Sequence, residues 1–136
     1  MSKAIPQIRK YMTAAPHTVG HDQTLAFTQN MMRELRIRHL PVLDGGRLVG
    51  VLTERDVALI ETLKDVDPKN VKVSDAMSQQ VYTVSPDAPL DEVAAEMAEH
   101  KYGSAVVMDN GHVVGVFTTV DGMSALSALL QSRLSK

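Results

Sequence analysis

Apolar positions along this chain change period in a fixed order, and the order occurs twice. Over residues 24–36, Leu25, Met31, Met32 and Leu35 roughly keep a helical spacing, which predicts a long helix. The apolar residues then crowd into two short runs, 40–43 and 48–52, separated by Asp44-Gly45-Gly46. Glycine in such a turn supplies the positive φ of a tight hairpin, so the runs are read as paired strands. A further helix follows over about 54–63. Sixty-five residues on, the order returns: Leu90, Val93, Ala94 and Met97 form a helical stripe, and 105–108 and 113–117 form strands around Asp109-Asn110-Gly111. A last helix covers about 120–134. The second strand of each hairpin is nearly all apolar, as a strand buried on both faces would be.

At this offset residues 12–59 lie on 77–124 without a gap, and the identical pairs include Met12/Met77, Gly50/Gly115, Thr53/Thr118 and Asp56/Asp121. Each copy opens with a short helical signal. Pro6 precedes Ile8-Arg9-Lys10-Tyr11-Met12 in the first, and Ser74 is the expected N-cap before Asp75-Ala76-Met77 in the second. A brief extended piece follows, Thr18-Val19 or Val81-Tyr82-Thr83-Val84. Thr53 and Thr118 sit where strand passes into helix, where a hydroxyl can cap. An internal duplication makes each copy one structural unit. Neither copy could bury a small sheet well alone, so two copies packed sheet to sheet about a pseudo-twofold are expected. The boundaries read as 5–64 for the first repeat, 65–71 for a polar, proline-containing linker, and 72–131 for the second repeat.

Composition narrows the chemistry. A chain of 136 residues with 44% apolar and 22% charged residues fits a globular protein. Two Phe, three Tyr and no Trp leave the core to aliphatic residues and methionine. No cysteine is present, which excludes disulfides and thiolate chemistry. Residues 1–6 lack a signal-length apolar run, and no stretch has the length of a membrane span, so a cytoplasmic chain without membrane insertion is expected. The net charge of −2 argues against nucleic-acid binding. His17 and His21 flank a turn rather than share a helix face, so no metal is expected. The carboxylates Asp91, Glu92, Glu96 and Glu99 read as a solvated helix face, and no nucleophile elbow or phosphate loop occurs. No enzyme is expected.

The junctions carry the most specific signal. They read Gly50-Val51-Leu52-Thr53-Glu54-Arg55-Asp56 and Gly115-Val116-Phe117-Thr118-Thr119-Val120-Asp121. This Gly-x-x-Thr-x-x-Asp pattern resembles the signature of cystathionine β-synthase (CBS) domains. The Thr-Val pair near the start of each copy and Arg38-His39-Leu40-Pro41-Val42 in the first extend the resemblance over roughly residues 5–131. The second copy departs from it with Gly103-Ser104-Ala105-Val106-Val107.

The resemblance implies a tandem CBS pair, or Bateman module: an α+β fold of two pseudo-twofold βαββα repeats with clefts between their sheets. It implies a non-catalytic regulatory module that binds AMP, ADP, ATP or S-adenosylmethionine, needs no cofactor, forms a homodimer and signals to a protein partner in trans. The alternative is a ligand-free interaction or dimerisation module. Asp56 and Asp121 become the ribose carboxylates, since one carboxylate can accept both hydroxyls of a diol. Thr53 and Thr118 become phosphate or ribose contacts at helix N-termini, with Arg55, Arg38 and His39 as cationic partners in the first copy. Thr18, Val19, Leu40 and Pro41 would line one adenine slot, and Thr83, Val84 and Val106 the other. Arg38, His39 and Arg55 map to Gly103, Ser104 and Val120, so the first copy is expected to be the better phosphate binder. Leu126, Leu129, Leu130 and Leu134 on the last helix are either core or a dimer seam.

Overall fold

The computed structural model describes residues 4–134. It is α+β, with two small sheets and five α-helices among the described residues. Residues 17–81 form one compact unit; residues 4–16 join 82–134 in the other.

In the 17–81 unit, β2 (Val19–Gly20), β3 (His39–Asp44) and β4 (Arg47–Thr53) form a sheet in that order, β2 parallel and β4 antiparallel to β3. Helix α1 (Leu25–Leu35) starts at Thr24, whose hydroxyl accepts the Phe27 N–H, and stops at Arg36 in the left-handed conformation. Helix α2 (Glu54–Glu61) follows β4 directly. A 3-10 turn, Pro68–Asn70, and the short α3 (Val73–Ala76) close the unit. Its core joins Val19, Leu25, Met32, Leu40, Val42, Leu52, Val57 and Val73. Full burial of one such aliphatic side chain is worth about 1.5–3 kcal/mol. Buried Thr28 donates to the Leu25 carbonyl at 2.7 Å, which satisfies its hydroxyl; its counterpart in the other unit is Val93.

The other unit repeats this plan with one more paired strand. Strands run β1 (Thr13–Ala14), β7 (His112–Thr118), β6 (Ser104–Asp109), β5 (Thr83–Val84) across the sheet. Helix α4 (Leu90–His100) ends at left-handed Lys101, and α5 (Thr119–Leu134) follows β7. The duplication reaches single hydrogen-bond partners. His39 faces Thr53 as Ser104 faces Thr118, and both hairpins shift register at the same place, Val42/Leu43 and Val107/Met108. The turns use Gly45-Gly46 and Asn110-Gly111, all at positive φ, as the sequence leads one to expect. On the sheet faces turned from these cores, Pro41 and Val51, and Val106 and Val116, are buried too.

Two sequence expectations change. The short helix of the second copy is Val73–Ala76, two residues earlier than a Ser74 cap requires. Lys72 takes the cap position and its side chain makes no capping bond. The physical cause is burial: Val73 is fully enclosed, as is its counterpart Ile8, and that fixes the start of the turn. The last helix buries Ala125, whereas Val120, Met123, Leu126, Leu129 and Leu130 stay exposed, so those leucines are not core. The side chain of Leu134 lies outside the described residues.

Candidate functional site

Each strand-to-helix junction is shaped by one glycine. A Cβ on Gly50 would stand 2.6 Å from Met77 Sδ and 2.7 Å from the Ser78 carbonyl oxygen. On Gly115 it would collide with Met12 Sδ. Each methionine lies in the hollow its glycine leaves, which accounts for the identity of both pairs. Three residues on, the chain turns into a helix whose first-turn N–H groups have no partner within the helix itself.

At α2, Thr53 Oγ1 accepts the Asp56 N–H at 3.1 Å, and Asp56 Oδ2 accepts the Thr53 N–H at 2.9 Å. This reciprocal capping box uses one position on the carboxylate. Among the described residues, Asp56 Oδ1 and the proton of the Thr53 hydroxyl have no partner. A carboxylate has about four acceptor positions, so roughly three stay open. The Glu54 N–H donates to the Arg38 carbonyl at 2.9 Å, which fixes Arg38 at the helix start. The Arg38 Nε lies 3.8 Å from Glu54 Oε2. Arg55, exposed in the first turn, has no ion pair among the described residues. Glu54 is a site residue that sequence reasoning missed; its position after Thr53 was the available signal.

At α5 the backbone is the same and the side chains are more engaged. Asp121 Oδ2 accepts the Thr118 N–H at 2.9 Å and the Thr118 hydroxyl at 3.2 Å, while Thr118 Oγ1 accepts the Asp121 N–H at 3.3 Å. Thr13, on β1, donates its hydroxyl towards Oδ1 at 3.2 Å and Oδ2 at 3.4 Å. Gly103, Ser104, Thr119 and Val120 bring no cation.

The remaining candidates divide by burial. Val19 and Leu40 belong to the core of their unit, turned inward with Val42. Val84 packs against the other core. Pro41 and Val106 are equally buried but lie on the opposite sheet faces, Thr18 is half-buried and Thr83 exposed. His39 is half-buried at the start of β3. On α4, ligand atoms of Glu96, Glu99 and His100 lie within 4.8 Å of one another, a solvent-accessible grouping with His100 Nε2 3.4 Å from Glu96 Oε1. Among the described residues no helix is long and apolar enough to cross a membrane.

Comparison with known proteins agrees with this geometry. The family model described as "CBS domain" matches residues 8–60 and again 73–128. Hypoxic response protein 1 of Mycobacterium tuberculosis is 31% identical over 114 residues, 83% of this chain and 80% of that protein. A putative acetoin utilization protein (AcuB) from Vibrio cholerae superposes with a TM-score of 0.86 at 28% identity, covering 98% of both chains. The CBS domain pair of protein MJ0100, solved with 5'-methylthioadenosine and S-adenosyl-L-methionine, gives 0.78 at 26% identity, over 92% of this chain and 98% of that one.

Proposed function

Because the chain belongs to the CBS domain family, with both repeats present, we propose that it is a non-catalytic regulatory module binding an adenosine-type ligand at the strand-to-helix junctions. The observation that carries this reading is the open Asp56 carboxylate beside a Thr53 hydroxyl with a free proton at the start of α2. A diol needs two acceptor positions, and Asp56 has them. A phosphate needs N–H groups, a hydroxyl proton and cations, and Thr53, Arg38 and Arg55 supply these. The adenosyl ligands named for the MJ0100 pair, a relative in fold and sequence, support the same class of ligand here.

The first junction is proposed as the site for a phosphorylated nucleotide such as AMP, ADP or ATP, and the second for a less charged adenosyl group such as that of S-adenosylmethionine. Thr18 and Pro41, and Thr83 and Val106, are proposed to border the base. The exposed apolar residues of α5 are proposed to seat a second copy in a cytoplasmic homodimer, through which ligand state reaches a protein partner. That face is also what favours the second reading, a ligand-free assembly module.

Calorimetry with AMP, ADP, ATP and S-adenosylmethionine tests the proposal. Asp56→Asn keeps an oxygen for the capping bond but loses the charge and one acceptor, so AMP binding is expected to weaken at least about tenfold. Unaltered AMP binding in Asp56→Asn, together with its loss in Asp121→Asn, would overturn the assignment. No heat and no thermal shift with any adenosyl compound at millimolar levels would leave the assembly reading.

A further inference from the structure

We infer that Thr13 sets the affinity of the Asp121 junction by holding its carboxylate against an incoming diol; this rests on the proposed reading of Asp121 as a ribose acceptor. The Asp121 Oδ2 takes two bonds from Thr118, and Thr13 stands towards both oxygens. With about four acceptor positions on a carboxylate, the two that a ribose would bridge are no longer both free.

The hydroxyl is delivered by the backbone. Thr13 and Ala14 pair with Val116 and Gly115 on β7, the Ala15 N–H donates to the Val114 carbonyl at 3.1 Å, and Ala15 holds a φ of 48°. Met12 is seated against Gly115 on the other side of Thr13 in sequence. Thr13 therefore cannot leave without loosening β1, and can only turn its hydroxyl away. The counterpart, Ser78, pairs with Val51 in the same way, but its hydroxyl points to the Gln80 carbonyl at 3.4 Å and leaves Asp56 alone. One fold thus holds a ready acceptor and a self-occupied one. A ligand at Asp121 has to displace an internal donor that a ligand at Asp56 does not meet.

The test titrates S-adenosylmethionine, the ligand type proposed for the second junction, into full-length protein carrying Asp56→Asn, with and without Thr13→Val. Valine keeps the branched shape and strand propensity of threonine and removes only the donor. Losing a competing hydrogen bond should tighten S-adenosylmethionine binding about two- to tenfold. Equal or weaker binding in the Thr13→Val chain, or no binding in either chain, overturns the inference. Adding Asp121→Asn separates the two claims: if it leaves S-adenosylmethionine binding unchanged, the ribose reading fails. In ligand-free protein the Asp121 carboxyl 13C resonance should move in Thr13→Val and stay in Ser78→Ala. A resonance unmoved by Thr13→Val shows that the hydroxyl does not engage Asp121 and sinks the inference alone. Hydrogen exchange of the Ala15 amide confirms that β1 is still paired.

Discussion

At the head of α2 a threonine and an aspartate cap the helix with two bonds, and both keep capacity in reserve. At the head of α5 the same two residue types cap in the same way, add a hydroxyl-to-carboxylate bond, and receive Thr13 as well. The backbones match to the bulge, so the difference is made by side chains that the duplication did not keep: Arg38 against Gly103, Glu54 against Thr119, Arg55 against Val120, and Ser78 against Thr13. After duplication, packing constraints preserve backbone geometry, while side chains outside the two cores drift, even where their backbone is paired as at Thr13 and Ser78. In the proposed reading, ligand choice depends on those drifting positions, so that a shared fold does not fix a shared ligand.

The sharpest way to break this pairing of the two halves is at the glycines that look most alike. A methyl group on Gly50 would meet Met77 Sδ at 2.6 Å and the Ser78 carbonyl oxygen at 2.7 Å, and a paired backbone atom cannot swing aside. On Gly115 the close atoms all belong to the Met12 side chain, which has rotamers to retreat into. Gly50→Ala is therefore expected to destabilise by about 2–3 kcal/mol and Gly115→Ala by about 1 kcal/mol, the upper and lower ends of overpacking costs. Urea unfolding of the two variants measures this. Equal losses would show that the Ser78 carbonyl yields as readily as a side chain.

Much of this arrangement is legible in the chain. Alternation and Asp-Gly or Asn-Gly turns place both hairpins, and threonines before acidic first turns place both caps, because these signals are local. The partner of each opening segment is not local. Residues 4–16 join the body of the second repeat, with the Ile8 N–H on the Ala88 carbonyl and the Leu90 N–H on the Pro6 carbonyl. Residues 71–74 close the first repeat through the matching bonds, Val73 N–H to Gln23 and Leu25 N–H to Val71. An offset of 65 residues is the same whichever copy a segment packs on, so periodicity cannot report this exchange. Thr13 was illegible for the same reason: an exposed threonine has no pattern until β1 is laid beside β7. The basic-x-Leu-Pro-Val stretch likewise does not say which face of β3 is inward; the structure places Leu40 on the core face.

A smaller effect sharpens the contrast at the first junction. Glu54 sits beside Arg38 and adds a negative charge where a phosphate is proposed to lie. Glu54→Gln frees the guanidinium and should tighten AMP binding roughly two- to fivefold, in line with the worth of an exposed ion pair, with the gain shrinking as salt rises. Thr119 already lacks that charge, so Thr119→Glu should weaken whatever anionic binding the second junction has. Weaker AMP binding in Glu54→Gln would mean that the Arg38–Glu54 pair orders the site rather than competing with the ligand.

The smallest expected difference lies in an aromatic column that only the second copy has. Tyr82 stacks on Tyr102 at 5.2 Å and 29°, and Tyr102 on His100 at 5.1 Å and 16°, where the first copy has His17, Ile37 and Leu35. Burial, then the carboxylate of Glu96, the Tyr102 phenol and Glu92, push the Tyr82 phenol above its ordinary value. The unfolded chain releases this proton near pH 10, whereas the folded chain keeps it longer. Over that alkaline interval the folded state binds more protons, so stability falls as pH rises through it. The contribution is fully present below pH 10 and disappears as the folded phenol titrates. Tyr82→Phe should therefore show a smaller drop in urea midpoint between pH 9 and pH 11 than the parent chain. An identical drop in both would mean that the phenol is as well hydrated in the folded protein as in the unfolded one, and that the column does not set the second copy apart electrostatically.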